Sequence, residues 1–426
     1  MKKKLFLLKA YLKQFFKLLI INLIMIFLLS NKKLNRNFIN NNTNNTFNSI
    51  VYKLNKNKNR RIPKYILLMD YYPNPYCNDL NAYYIFKYYQ KKKNNNAYYV
   101  INLNSDLYKY LKIQNKTQNL IPINSNDNIY DKLYEYILNS KIIINSYVNR
   151  EIQRLISNVS FLKYLYLTHA VGYFKKRIIA IELHNVIINK RNIIVSSPYE
   201  YKFYKKYLNY SENYMHKAGL PRYDRFKEIK KNHSEKQCIL ITFTYRRYSN
   251  IIYEKSLFKK NLEKLLNDKT LINFLNKKDI DLIYIPHHND LFKKRPFNPK
   301  NFPYIKYAKQ ALLSHYIEQC SLFITDFSSI AFDFMFLNKP ALFYLIDVKD
   351  KINFVERQYM QYNYKNNIYF GNVFYSQRLL IERIIYYTNQ KFKINNELKK
   401  KYDSLFYYKC NITEKIIDII NNIINN

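Results

Sequence analysis

The segment that decides the fold is ITDFSSIAFDFMFLNKPALFY, residues 324–344. An apolar strand ends in a polar turn, a helix follows, and a second apolar strand begins after Pro340. This pattern predicts a βαβ unit whose two strands run parallel in one sheet. Ser328 and Ser329 lie at the predicted start of the helix, where hydroxyl groups can cap the helix or bind a phosphate.

Similar apolar runs, separated by segments of helix length, continue on both sides of this unit. The predicted strands are 65–69, 97–102, 141–145, 164–167 and 193–195, followed by 238–242, 282–285, 321–325 and 340–344. The predicted helices lie near 80–91, 129–139, 149–157, 257–276, 309–319 and 329–337. The expected fold is therefore α/β, with two doubly wound, Rossmann-like domains that face each other across a ligand cleft.

The predicted domain plan has five parts. They are an N-terminal helix over 1–30, an Asn/Lys-rich linker over 31–60, a first Rossmann-like domain over 61–230, a second over 235–400, and a C-terminal helix over 401–426. The charged stretch 226–236 is the predicted hinge between the two domains. The linker is expected to stay without structure, because it is too polar to bury much apolar surface.

The N-terminal segment combines basic and apolar residues. Lys9, Lys13 and Lys17 recur every fourth residue and so share one face of a helix. The apolar run 18–29 that follows is shorter than the roughly 20 residues of a membrane-spanning helix. We expect an amphipathic helix that associates with the cytoplasmic face of the membrane, either peripherally or as an anchor. A helix that packs on the protein is the alternative, and the sequence leaves open whether 1–30 span the membrane.

The chain is strongly basic, with 71 Lys and Arg against 30 Asp and Glu, a formal net charge of +41. Such a charge suggests a polyanionic partner. The chain is also rich in Lys, Asn, Ile and Tyr, has three Gly and no Trp, and its basic residues are dispersed, as expected of codons from an AT-rich genome. We therefore expect an anionic membrane surface and anionic substrates as partners, and no specific nucleic acid.

Several familiar motifs are missing from the sequence. The four cysteines form no CxxC pair and no zinc pattern, and Cys238 and Cys320 are expected to be buried as small apolar residues. The sequence has no GxxxxGK[ST], GxGxxG, HExxH or GxSxG motif. These absences disfavour a P-loop, a nicotinamide cofactor, a zinc protease and a serine hydrolase, and no metal site is predicted.

Four further motifs precede residues 324–344 in a fixed order. They are LTHAVGYFKK (167–176), GLPRYDR (219–225), ILITFTYR (239–246) and PHH (286–288). Together the five motifs resemble the CDP-glycerol glycerophosphotransferase family, whose members build teichoic-acid-like polymers. The chain departs from the family pattern at Ala170, Phe243 and His288, where the family has Gly, Pro and Pro.

The resemblance implies a GT-B-type fold with the acceptor on the first domain and the CDP-activated donor on the second. It implies that His169 is the general base for the acceptor hydroxyl, a task that suits an imidazole with a pKa near 6.5. It also implies that His287, Ser328 and Ser329 hold the donor phosphates. Arg246 is an expected additional phosphate contact, because a guanidinium matches phosphate geometry. His288 is an alternative to His287.

Four residues are predicted to support the site. Asp326 is expected to orient its loop or to cap the following helix, and Thr244 lies in the strand-and-loop motif 239–246. Arg222 and Asp224 are expected to organise the domain junction. Asp333, on the predicted helix, is expected to be structural.

The function implied is transfer of phosphoglycerol, or a related phosphoalditol, from CDP-glycerol to a lipid-linked or glycan acceptor hydroxyl. No cofactor is expected beyond this donor substrate. Two alternatives stay open: a GT-B glycosyltransferase that uses a nucleotide sugar, and a basic membrane- or nucleic-acid-binding protein with a decayed transferase site. The sequence does not distinguish glycerol from ribitol, a primase from a polymerase, or one acceptor from another.

Overall fold

The structure is a computed structural model. It describes residues 41–70, 81–124, 127, 129–147, 150–168, 171, 191–228, 236–246, 250–287, 290, 299–309, 313–347 and 372–425. The chain divides into two compact units, residues 1–60 and 61–426, each considered by itself. The predicted N-terminal helix over 1–30 lies outside the described residues, as do most residues of the predicted hinge.

The described part of the first unit is helical. Helix α1 (Asn41–Lys56) is followed by a short 3-10 turn, Lys58–Arg60. The expectation that the linker stays without structure is therefore wrong for residues 41–56. The reason is visible in the sequence, since Phe47, Ile50 and Leu54 recur at helical spacing and all three are buried.

The second unit contains two parallel β-sheets. The first sheet comprises β1 (Tyr65–Met69), β2 (Ala97–Asn102), β3 (Leu120–Ile123), β4 (Ser140–Asn145), β5 (Tyr164–Tyr166), β6 (Asn192–Val195) and β7 (Met215–Lys217). The second comprises β8 (Cys238–Ile241), β9 (Asp281–Tyr284), β10 (Ile305–Tyr307), β11 (Leu322–Thr325), β12 (Ala341–Tyr344) and β13 (Val373–Phe374). The central strands are apolar along their length because helices cover both faces of a parallel sheet.

Helices connect successive strands in both halves. Those around the first sheet are α2 (Asn81–Lys91), α3 (Asp106–Ile113), α4 (Ile129–Leu138), α5 (Arg150–Asn158) and α6 (Pro198–Leu208). Those after β8 are α7 (Asn250–Glu254), α8 (Leu257–Leu266), α9 (Lys269–Lys277), α10 (Leu313–Gln319), α11 (Ile330–Phe336), α12 (Gln377–Asn389), α13 (Asn396–Asp403) and α14 (Ile412–Asn425). The single helix predicted over 257–276 is two helices, because Asp268 accepts a hydrogen bond from Leu271 N and starts α9.

The strand order places a reversal point in the middle of each sheet. The order is β3-β2-β1-β4-β5-β6-β7 in the first sheet and β10-β9-β8-β11-β12-β13 in the second. The order reverses between β1 and β4 and between β8 and β11, and ligands of such sheets bind beyond the carboxyl ends of the strands at this point. The predicted fold class, two Rossmann-like parallel α/β domains, is confirmed.

One hydrophobic core runs through both sheets. Its members come from the first sheet, from the 3-10 segment Pro221–Glu228, from the second sheet and from α14. At the junction the Tyr223 ring lies 4.2 Å from the Phe336 ring, measured between centroids. This continuous apolar contact packs the two sheets against each other.

The last helix returns to the first sheet. The Asp224 carboxylate accepts hydrogen bonds from Ile412 N at 3.1 Å and from Thr413 N at 2.6 Å, and so caps the start of α14. Near the other end of α14, Lys163 Nζ donates to the Ile424 carbonyl at 2.7 Å. Gly219 permits this approach, because a Cβ there would lie 2.9 Å from Ile412 Cδ1.

The Asp224 cap gives the first testable expectation. Asp224→Ala removes the acceptor of two backbone N–H groups at a helix start, and we expect it to lower the free energy of unfolding by about 1–2 kcal/mol. Urea denaturation measures the change. Asp418→Ala removes an exposed carboxylate from the same helix and is the matched control. Equal effects of the two substitutions would contradict the capping role.

Candidate active site

The carboxyl edge of the second sheet gathers most of the side chains predicted to hold the donor. His287 follows β9, Thr244 follows β8, and Ser328 and Ser329 follow β11. Because β9, β8 and β11 are neighbours and parallel, their carboxyl ends meet at one edge of the sheet. The predicted residues are therefore brought together at the point where the strand order reverses.

The two serines differ in how they are used. Ser328 is buried, and its Oγ accepts a hydrogen bond from Ile330 N at 3.4 Å. Ser329 precedes α11 and is partly exposed, and its side chain makes no capping hydrogen bond. The Ser329 hydroxyl is therefore not committed to holding the helix.

Asp326 ties the loops after β8 and β11 together. Its carboxylate is fully buried and accepts from Phe327 N at 2.6 Å and from Thr244 N at 3.0 Å. Of the two roles predicted for Asp326, the geometry is that of a residue that orients the loop. Thr244 Oγ1 is itself buried and has no hydrogen-bond partner among the described residues, so it retains hydrogen-bonding capacity at this edge.

Arg246 has a different task from the one predicted. Its Nε and Nη2 lie 2.7 and 2.8 Å from the two carboxylate oxygens of Asp347. Its Nη1 lies 2.7 Å from Asp326 Oδ2 and 2.7 Å from the Thr244 carbonyl oxygen. The side chain is fully buried, and its guanidinium is bonded to two carboxylates. We therefore correct the prediction: Arg246 fixes the loops of the site and is not placed to contact a donor phosphate.

Asp347 was missed in the sequence. It follows the apolar strand β12, is buried, and pairs with an arginine 101 positions earlier. An acidic residue at the end of an apolar run is the only local signal, and Asp70 and Asp326 share it. The Phe258 and Phe327 rings lie 4.6 and 5.0 Å from the Arg246 guanidinium carbon and complete its surroundings.

His287 lies at the edge of the cluster and is half-buried. Its imidazole lies 5.7 Å from the Tyr245 ring, centroid to centroid, with the ring planes inclined at 31°. Its carbonyl oxygen accepts a hydrogen bond from Asp290 N at 2.8 Å. These contacts limit the orientation of the ring. The alternative, His288, lies outside the described residues.

The carboxyl edge of the first sheet is also polar. Asp70, directly after β1, accepts hydrogen bonds from Ala82 N at 3.1 Å, from Tyr83 N at 3.0 Å, from Tyr99 Oη at 2.8 Å and from Ser146 Oγ. Burial raises the pKa of the Asp70 carboxyl, and these hydrogen bonds act in the opposite direction. Asp70 therefore anchors the start of α2 to β1 and β4, at the reversal point of this sheet.

His169, the predicted general base, lies outside the described residues. The residue before it, Thr168, is described and buried. Its backbone φ is +61°, and its Oγ1 has no hydrogen-bond partner within the described part of the chain. A β-branched residue rarely adopts this left-handed conformation, and such strain is often found at functional sites.

Arg222 and Asp224, the two residues predicted at the domain junction, lie in the 3-10 segment Pro221–Glu228, as does Arg225. Arg222 Nη2 makes a buried ion pair of 2.7 Å with Asp333 Oδ1 on α11. Arg225 Nη1 donates to Tyr84 Oη on α2 at 3.0 Å, and its Nε lies 3.0 Å from Glu318 Oε1 on α10. Together with the Asp224 cap, these contacts give the GLPRYDR motif the geometry of a domain junction.

Two further features, a metal site and a membrane-spanning helix, are not found among the residues that the structure describes. These residues contain no group of three or more His, Cys, Asp or Glu side chains that could hold a metal ion. Among them, no helix is both long enough and apolar enough to cross a membrane.

The fold and the polar carboxyl edges define a two-domain protein of the GT-B type. The solved structure of the wall teichoic acid polymerase TagF has a TM-score of 0.61 at 15% identity, covering 89% of this chain and 98% of that chain. The UDP-N-acetylglucosamine 2-epimerase from Rickettsia bellii has a TM-score of 0.50 at 12% identity, covering 85% of this chain and 97% of that one. At these identities the similarity establishes the fold alone.

The family follows from the sequence comparison. The family model for CDP-Glycerol:Poly(glycerophosphate) glycerophosphotransferase matches residues 63–422, and the chain belongs to this family. It is 26% identical over 379 residues to the minor teichoic acid biosynthesis protein GgaB of Bacillus subtilis (strain 168), covering 81% of this chain and 39% of that protein. It is 24% identical over 226 residues to the teichoic acid glycerol-phosphate primase of the same strain, covering 52% of this chain and 55% of that protein. The chain thus spans about two fifths to about half of the length of these relatives.

The Arg246 cluster gives the second testable expectation. Asp347→Asn leaves the buried guanidinium without one of its two carboxylates, and we expect a loss of roughly 3–5 kcal/mol in the free energy of unfolding. Urea denaturation measures the loss. Glu397→Gln breaks the exposed pair with Lys401 and is the control, expected to lower the free energy of unfolding far less because water screens an exposed pair. An Asp347→Asn protein as stable as the wild type would contradict the assigned role.

Proposed function

We propose that this chain transfers a phosphoglycerol unit, or a related phosphoalditol, from CDP-glycerol to a hydroxyl of a lipid-linked or glycan acceptor. The product is a teichoic-acid-like surface polymer. The observation that carries the proposal is membership of the glycerophosphotransferase family over residues 63–422. The grouping of Thr244, His287, Ser328 and Ser329 at one sheet edge supports it.

In the proposed reaction the donor diphosphate binds at the carboxyl edge of the second sheet. The hydroxyls of Ser328 and Ser329 donate to its oxygens, and His287 contacts it as a hydrogen-bond donor. The buried Thr244 hydroxyl adds one more donor. Groups fixed before the reaction stabilise charge on phosphate oxygens better than water does, because they need not reorganise. Asp326 and Arg246 supply that fixation by holding the loops after β8 and β11.

The acceptor binds at the carboxyl edge of the first sheet. His169 takes the proton from the acceptor hydroxyl as its oxygen attacks the phosphorus that carries glycerol. A new P–O bond forms to the acceptor, and the P–O bond to cytidine monophosphate breaks. The leaving group departs as cytidine monophosphate, with the negative charge on its terminal phosphate. We propose no resident cofactor or metal for this step.

The proposed location is the cytoplasmic face of the cell membrane, with an anionic lipid surface as partner. The net charge of +41 and the lysines among the first 17 residues support this location. A specific nucleic-acid partner is not proposed.

A nucleotide-sugar glycosyltransferase is the second candidate. It is favoured by the likeness of the fold to a UDP-N-acetylglucosamine 2-epimerase, since one fold serves several nucleotide donors. A thermal-shift comparison of CDP-glycerol, CDP-ribitol and UDP-sugars separates the candidates, because the true donor raises the melting temperature most.

The reaction gives the third testable expectation. Purified full-length protein is incubated with CDP-glycerol and a glycerol-phosphate-primed lipid, and released cytidine monophosphate is measured. His169→Ala is expected to lower kcat by about 10²- to 10⁴-fold, because the general base is lost. Ser329→Ala is expected to raise the KM for CDP-glycerol, because a donor contact is lost. His315→Ala changes an exposed histidine on α10 and should leave both constants unchanged.

Two outcomes would contradict the proposal. Unchanged turnover in His169→Ala would remove the assigned base. Absence of cytidine monophosphate release by folded wild-type protein would direct the search to CDP-ribitol and then to nucleotide sugars.

A further inference from the structure

Thr168 is the most unusual backbone position beside the proposed base. Its φ of +61° places a β-branched side chain in a region that such residues avoid, at a cost of order 1–3 kcal/mol. Leu167, directly after β5, is held by the neighbouring strand β4, because its N–H donates to the Asn145 carbonyl oxygen at 2.8 Å. The strained conformation therefore begins where the sheet hydrogen bonds end, and something beyond the sheet has to maintain it.

The Thr168 backbone, with its positive φ, is contacted by Asn81. Asn81 is the first residue of α2 and is fully buried. Its Nδ2 donates to the Thr168 carbonyl oxygen at 2.7 Å, across 87 positions of sequence. Its Oδ1 accepts from Arg222 N at 3.4 Å. The Asn81 side-chain amide therefore bonds to Thr168, which follows a strand of the first sheet, and to Arg222 at the domain junction.

The same chain of contacts continues into the second sheet. Arg222 carries the 2.7 Å ion pair with Asp333 on α11, and both side chains are buried. Helix α11 begins at Ile330, directly after Ser328 and Ser329. Three contacts therefore lead from Thr168 to α11: Thr168 to Asn81, Asn81 to Arg222, and Arg222 to Asp333.

Asn81 is itself held in place. The Asp70 carboxylate accepts from the N–H groups of the next two residues, Ala82 and Tyr83, and so fixes the start of α2. A second link runs beside the first, from Tyr84 on α2 through Arg225 to Glu318 on α10. A residue fixed on both sides can transmit a position, which a mobile surface residue cannot do.

We propose that Asn81 is a positioning residue that sets Thr168, the residue before the proposed base His169, against the donor serines on the second sheet. The effect of this positioning on catalysis rests on the proposed function. Transfer between groups held on two separate sheets requires a fixed distance between them, and a misplacement of about 1 Å can cost about 100-fold in rate. The Asn81 amide supplies this registration without contacting donor or acceptor.

The sharpest variant is Asn81→Asp. It keeps the size of the side chain and the oxygen that faces Arg222 N, and it replaces the Nδ2 donor with an oxygen that faces the Thr168 carbonyl. We expect kcat for cytidine monophosphate release to fall about 10- to 100-fold, with the KM for CDP-glycerol within about twofold of the wild type. Asn139→Asp changes an asparagine directly before β4, at the opposite end of the same sheet, whose Nδ2 also donates to a backbone carbonyl, that of Glu135 at 3.2 Å. We expect it to leave kcat within about twofold of the wild type.

A second substitution separates positioning from a general loss of structure. Glycine adopts positive φ without strain, so Thr168→Gly lets the loop take its conformation without help from Asn81. We expect Asn81→Asp/Thr168→Gly to recover at least about fivefold of the kcat lost in Asn81→Asp. A merely structural role for Asn81 predicts no such rescue.

Hydrogen exchange tests the link without reference to activity. In Asn81→Asp we expect faster amide exchange in peptides that cover 164–168 and also in peptides that cover 330–336, because the two are joined through Arg222. Asn139→Asp should leave both peptides unchanged. Unchanged exchange over 330–336, an unchanged kcat, or absence of rescue by glycine would each overturn the proposal. If the wild type releases no cytidine monophosphate, the proposed function fails, and the exchange result still decides whether Asn81 joins the two sheets.

Discussion

The buried ion pair between Arg222 and Asp333 is the contact on which the rest of the structure depends. The residues proposed to hold the donor follow strands of the second sheet, and the proposed base follows β5 of the first sheet in the sequence, so the proposed reaction needs the two sheets to keep their relation. A buried pair of this kind is costly to desolvate and contributes little net stability, but it strongly disfavours any arrangement that separates its partners. The apolar contact of Tyr223 with Phe336 beside it supplies the stability that the pair does not.

The two sheets use the same device at their reversal points. Asp70 in the first sheet and Asp326 in the second each follow a central strand and are buried. Asp70 accepts from Ser146 after the neighbouring strand β4, and Asp326 accepts from Thr244 N after the neighbouring strand β8. Each carboxylate therefore joins the segments that follow two neighbouring strands, at the point where the strand order reverses. Preorganised polar groups of this kind suit the stabilisation of phosphate charge.

The sequence predicts the centre of each sheet well and its edges poorly. Strands such as β4 and β11 have buried apolar centres, III and LFI, because helices cover both faces of a parallel sheet. Strands β7 and β10, with the sequences MHK and IKY, are short and contain charged or polar residues, so no period marks them. Helix α1 was missed because its Asn-rich composition obscured the spacing of its apolar residues.

In the candidate site, residues marked by their neighbouring sequence could be predicted, and contacts between residues far apart in the sequence could not. The serine pair, His287 and the GLPRYDR motif could be found because each stands at a strand end or turn that the sequence itself marks. The environment of Arg246 could not be found, because its two carboxylates come from 80 and 101 positions away. Asn81 was missed for the same reason, since its partner Thr168 lies 87 positions away.

A crystal structure of the protein with CDP-glycerol tests the central claim most directly. The account predicts that the diphosphate lies beyond the carboxyl ends of β8 and β11, within hydrogen-bond distance of Ser328 and Ser329. It also predicts that Arg246 still pairs with Asp347. A nucleotide bound at the edge of the first sheet, or a diphosphate held by Arg246 in place of Asp347, would contradict the account.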